Sequence, residues 1–159
     1  MERHSFAMEI KKGKKNEYRQ ILGEIWPDLT AFLDQEKVHN FSIWNCDSLI
    51  FGYYETDENN EFSEEKKASI QALTSRIDHT FTWISTPGEN MRLMYHNFGI
   101  VRENKELIRH RMFMTKLKPG FEEEYKARHD GLIAARGDSI DPGPDSNFSI
   151  WSAGGYIFG

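Results

Sequence analysis

The chain has 159 residues, 28% of them charged, with a net charge of −5 and acids and bases interspersed. No Lys/Arg-rich stripe occurs beyond "KKGKK" at 11–15, which reads as a solvated turn before a helix, so nucleic acid is not the expected partner. The single cysteine, Cys46, excludes an intrachain disulfide and suits a reducing, cytoplasmic setting; no signal-peptide core opens the chain and no apolar run approaches a membrane span.

"HSFAMEI" at 4–10 alternates apolar and polar residues and reads as a strand. Residues 14–36 place Tyr18, Ile21, Leu22, Ile25, Leu29, Phe32 and Leu33 at helical spacing. Pro27 should bend or interrupt that helix, because it lacks an N–H and clashes with the preceding turn. "HNFSIWNCDSLIFGYYE" at 39–55 reads as two strands joined by an Asn/Asp/Ser turn. Ser63 is a fitting N-cap for a second helix over 63–84, with Glu64 and Glu65 in its first turn; "STPGEN" ends it. "MRLMYHNFGIV" at 91–101 is the fourth strand expected. The order is β-α-β-β-α-β, the split ferredoxin-like unit of an α+β protein.

"NFSIW" occurs at 40–44 and again at 147–151, so the same unit is encoded twice. "RHSFAMEIKKGKKNEY" at 3–18 aligns with "RHRMFMTKLKPGFEEEY" at 109–125 if the second carries one extra residue before its glycine; from Gly13 and Gly120 onward the offset is constant. The second copy should hold a strand at 109–117, a helix at 121–136, the loop "DSIDPGPDS", then two strands from 147. The expected domains are 1–104 and 105–159, the second truncated as its third strand begins. That ending suggests a fragment or a partner chain that completes the fold, since half a unit leaves a raw sheet edge. Each split sheet has one face without helices, and two such faces pair into an α/β barrel. The duplication therefore suggests either a homodimer or an intramolecular pseudo-dimer of the dimeric α/β-barrel type.

The stretch "RHSFAMEIKKGKKNEYRQILGEIWPDL…VHNFSIW…LIFGYYE" resembles the L-rhamnose mutarotase family. Members typically show an Arg-led first strand, a Tyr, a His four residues later, then Ile-Trp-Pro and an acid, then a His-Asn-aromatic strand. The resemblance spans all of the first copy and about 50 residues of the second. It implies an isomerase that needs no metal and no cofactor and interconverts the α and β anomers of L-rhamnose or a related deoxyhexose. Its partner would be a small monosaccharide. Mutarotation moves one proton off the anomeric hydroxyl and another onto the ring oxygen, so a group titrating near neutrality, a histidine, suits it.

Position by position, the resemblance divides between the copies. The first has Tyr18 but Leu22 where the family has its histidine; the second has both Tyr125 and His129. The first keeps Trp26-Pro27-Asp28 and His39-Asn40, where the second has Ile133-Ala134 and Ser146-Asn147. The expected catalytic pair is therefore His129 and Tyr125. The resemblance further implies substrate contacts from Tyr18, Trp26, Phe41, Trp83, Phe148 and Asn147. Each has a bland alternative: exposure for His129, core packing for the tyrosines and Trp26, and a structural role for His4, His39, His79, His96 and His110. Phe41 and Phe148 lack the hydroxyl of the family aromatic they replace. No metal-ligand spacing and no glycine-rich phosphate loop occurs. Two other functions fit the same scaffold: a sugar-binding or regulatory protein that has lost catalysis, and another cofactor-free reaction on the dimeric α/β barrel.

Overall fold

The computed structural model describes residues 1–58, 63–100, 108–140 and 146–159. The middle of the expected "DSIDPGPDS" loop and the expected 104/105 boundary lie outside those residues. The chain forms two compact units, Met1–Asn90 and Met91–Gly159.

The first unit contains β1 (Glu2–Ile10), α1 (Lys15–Gln35), β2 (His39–Cys46), β3 (Leu49–Thr56), α2 (Glu64–Thr74) and β4 (Phe81–Trp83). Its antiparallel sheet has the order β2-β3-β1-β4, which is ferredoxin-like. The helical spacing buries Tyr18, Ile25 and Leu29 of α1; Tyr18 and Ile25 pack with Met8, Ile10, Ile50, Ile77 and Phe81. Burying such a side chain contributes about 1.5–3 kcal/mol. Of the two outcomes expected at Pro27, a bend or an interruption, the interruption does not occur: α1 runs through it. The bond it forfeits belongs to the Gly23 carbonyl on an exposed turn, where water can reach. Next to it, the Trp26 carbonyl accepts a bond from the Thr30 hydroxyl at 3.0 Å.

Ser63 caps α2 by accepting from the Lys66 N–H. The helix stops at Thr74 rather than running to 84. The aromatic and β-branched run Phe81-Thr82-Trp83 suits a pleated surface better than a helix, and it forms β4 beside β1. The fourth strand of this sheet is therefore β4, not 91–101.

The second unit contains β5 (Arg92–Asn97), β6 (Met114–Lys116), α3 (Glu122–Arg136), β7 (Phe148–Ala153) and β8 (Tyr156–Phe158), with sheet order β5-β7-β8-β6. Here β6-α3-β7-β8 repeats β1-α1-β2-β3. The extra strand, β5, takes the outer edge beside β7. The compact units divide after Asn90, and β5 finds its hydrogen-bond partners on the second sheet.

One register relates the copies throughout. Ile10 N–H bonds Ser48 C=O at 2.7 Å, and Leu117 N–H bonds Gly155 C=O at 2.9 Å. Phe6 pairs with Gly52, and Phe113 exchanges two backbone bonds with Gly159. All these partners are 107 residues apart, as Gly13 and Gly120 are. The extra residue inserted before Gly120 in the sequence alignment is thus overturned: His4 and His110 are not equivalent, and Arg3 stands where the second copy has His110. In both copies a phenylalanine ring lies over the glycine of "IFG", so that a Cβ on Gly52 would meet the Phe6 ring at 1.9 Å and one on Gly159 the Phe113 ring at 2.3 Å. Both copies also place an asparagine in the left-handed region just where β2 and β7 begin to pair, Asn40 at φ 51° and Asn147 at φ 53°.

Candidate active site

Helix α3 begins with Glu122, Glu123 and Glu124 in its first turn, which suits the dipole. It presents Tyr125 and His129 one turn apart on the same face. Their rings are 4.3 Å apart, tilted by 40°. The Nδ1 of His129 lies 2.9 Å from the Tyr125 carbonyl oxygen. A carbonyl only accepts, so Nδ1 carries the hydrogen and donates it. The neutral imidazole then holds its lone pair on Nε2. Burial pushes the Tyr125 phenol above its ordinary pKa, so it remains a protonated donor at neutral pH.

Rings surround this pair. Tyr95 of β5 stands edge-on to His129 at 5.2 Å. Phe148 of β7 lies 6.0 Å from Tyr95 and 6.2 Å from Phe113. Beneath them Met94, Ile150 and Ile157 form a buried cluster, against which Tyr95, Tyr125 and Phe148 pack. Asn147 precedes β7 and donates its N–H to the Phe98 carbonyl at 2.8 Å. Tyr125, His129 and Phe148 thus come together from their predicted positions. Tyr95 was not foreseen; its sequence reads as an ordinary strand residue of the first copy.

The equivalent surface of the first unit is walled by rings but holds no imidazole. Tyr18 is 4% exposed and lies 6.5 Å from Phe81, while Leu22 packs at the margin of the same core. Trp26 sits 6.0 Å from Phe41 and is 39% exposed; Trp83 is 44% exposed and contacts Phe6 and Phe81. Trp83 occupies β4 rather than the end of α2, contrary to the sequence reading.

The first unit's histidines serve other contacts. His4 stacks on Tyr54 and bonds Thr56 at 2.8 Å; His79 bonds Glu17 at 2.7 Å; His39 faces Asp57. Asn40 turns its amide to Glu55, a 1% exposed carboxylate that also accepts from the Tyr53 hydroxyl at 2.7 Å. Among the described residues no three metal-ligating side chains cluster, and no helix is long and apolar enough to cross a membrane.

The L-rhamnose mutarotase family model matches residues 3–92. The L-rhamnose mutarotase of Oceanobacillus iheyensis is 33% identical over 72 residues, 44% of this chain and 69% of that protein. The one from Agrobacterium fabrum is 42% identical over 55 residues, 33% of this chain and 50% of that protein. A crystal structure of L-rhamnose mutarotase from Formosa agariphila aligns at 21% identity with a TM-score of 0.36, covering 55% of this chain and 84% of that one. The family model and the sequence relatives place the protein among the carbohydrate isomerases, here on a ferredoxin-like α+β scaffold. The chain belongs to the L-rhamnose mutarotase family. The match falls on the copy with Leu22, whereas the Tyr-x-x-x-His pair stands in the other copy.

Proposed function

We propose that the second unit interconverts the anomers of L-rhamnose or a closely related deoxyhexose, with His129 as the proton-transfer residue. The observation that carries this reading is the imidazole of His129, fixed through Nδ1 on the Tyr125 carbonyl and walled by Tyr125 and Tyr95. Nε2 takes the proton of the anomeric hydroxyl. The C1–O5 bond breaks as the C1 carbonyl forms, and O5 receives a proton, for which the Tyr125 hydroxyl is the donor at hand. Rotation about C1–C2 exposes the other face of the carbonyl, and the reverse transfers close the ring. Rings such as Phe148 offer apolar surface to the sugar's C–H face. The first unit, with Leu22 in place of the imidazole, binds sugar without turning it over; half-exposed Trp26 and Trp83 favour that second reading for it.

Magnetisation-exchange NMR between the α and β anomeric protons of equilibrated L-rhamnose tests the assignment. The wild-type protein accelerates exchange, and His129→Ala reduces the acceleration by about 10²- to 10³-fold, the usual worth of a general acid–base group. Exchange by His129→Ala at the wild-type rate removes His129 from the mechanism. A wild-type protein that binds deoxyhexoses and accelerates none is a sugar-binding protein instead.

A further inference from the structure

We infer that Tyr95 is the positioning residue for His129, so that a strand from outside the repeat completes the second unit's site. This deepens the reading just proposed and rests on it for its kinetic arm.

A bulge aims the side chain. In β5, Leu93 faces Trp151 and Tyr95 faces Ile150, which are neighbours on β7, so Met94 is the inserted residue. Regular alternation would send Met94 and Tyr95 to opposite faces of the sheet. Here Met94, fully buried, packs on Ile150 and Ile157, and Tyr95 packs against the same cluster. The insertion therefore turns both toward α3.

The strand is tied to α3 on either side of the contact. Arg92 grips Glu123 at the start of α3 with two bonds, of 2.5 and 2.9 Å, and Arg136 in its last turn donates to the His96 carbonyl at 3.2 Å. Between these ties the Tyr95 ring meets His129 at 5.2 Å, at an angle of 61°. One helix-backbone bond alone leaves an imidazole free to leave its rotamer. Tyr95 on one side and Tyr125 on the other close off the alternatives and keep Nδ1–H on the carbonyl. It is the Tyr95 ring that touches His129, so the ring rather than the hydroxyl is the part that positions the imidazole.

The test compares Tyr95→Phe, Tyr95→Leu and Tyr95→Ala, reading anomer exchange together with the ¹⁵N and ¹H shifts of the His129 ring in the free protein. Tyr95→Phe should keep anomer exchange within about twofold of wild type and leave the His129 signals unmoved. Tyr95→Leu, which fills the space without an aromatic edge, and Tyr95→Ala should lower kcat by about 10- to 100-fold with a smaller change in KM. Both should also move the His129 signals toward mixed tautomers. Tyr95→Leu with wild-type kcat and unmoved signals overturns the inference. So does Tyr95→Phe as damaged as Tyr95→Ala, because the hydroxyl would then be the acting group. If the wild-type protein exchanges no anomers, the catalytic reading fails, while the shifts still decide whether Tyr95 holds the imidazole.

Discussion

Tyr18 and Tyr125 occupy one repeat position on two helices, in different surroundings. Tyr18 is sunk in the first unit's core, where burial pushes its pKa up to about 12. Tyr125 is half-buried and shifted in the same direction, beside an imidazole. The Tyr18 shift makes a stability prediction whose sign follows from linkage. The unfolded phenol ionises near pH 10, the folded one two units higher, so above pH 10 the unfolded state is favoured. The Tyr18 contribution is fully present below pH 10 and is lost as the pH rises toward 12, a change of about 2 kcal/mol. Tyr54, also raised by burial, adds in the same sense. Urea midpoints compared at pH 9 and pH 11.5 should fall for the wild type and fall less for Tyr18→Phe. Equal losses in both proteins would mean that the Tyr18 hydroxyl is hydrated in the folded state.

At the scale of elements, the glycine of each "IFG" is held by a ring crossing its backbone. Any side chain on Gly52 must displace Phe6, which is itself set against Trp83 at 6.0 Å. Gly52→Ala should therefore destabilise the protein by about 1–3 kcal/mol, the usual cost of overpacking. Adding Phe6→Ala should recover part of that loss, so the two substitutions are non-additive in chemical denaturation; additive losses would sink the contact. Which elements are legible in the sequence follows from what specifies them. Helix α1 declares itself through Tyr18, Ile25 and Leu29, and Tyr125 and His129 meet because residues four apart share a helix face. The β2–β3 hairpin declares itself through its alternation and its Asp47-Ser48 turn. Strand β5 reads correctly as a strand and wrongly as to its sheet, because a strand's own pattern does not say which free edge will accept it. Its bulge at Met94 is equally silent, so Tyr95 does not emerge from spacing. Strand β4 is hidden because Thr80–Trp83 follow a helical pattern with no glycine or proline between.

For the molecule as a whole, duplication produces two ring-lined surfaces, only one of which combines the imidazole with a strand outside the repeat. The first unit has the twins of Tyr125, Phe113 and Phe148 in Tyr18, Phe6 and Phe41. Among the described residues, however, β2 pairs only with β3, and nothing stands beside it as β5 stands beside β7. Restoring the histidine alone should then be insufficient. In a Leu22→His/His129→Ala protein, the new imidazole has a helix carbonyl four residues back, at Tyr18, but no Tyr95 equivalent to hold its outer edge. Its acceleration of L-rhamnose anomer exchange should stay at the level of His129→Ala, with circular dichroism confirming the fold, since Leu22 lies only at the core's margin. Exchange restored to within tenfold of wild type would show that the Tyr-x-x-x-His pair and its rings suffice, and that the added strand is dispensable to the chemistry.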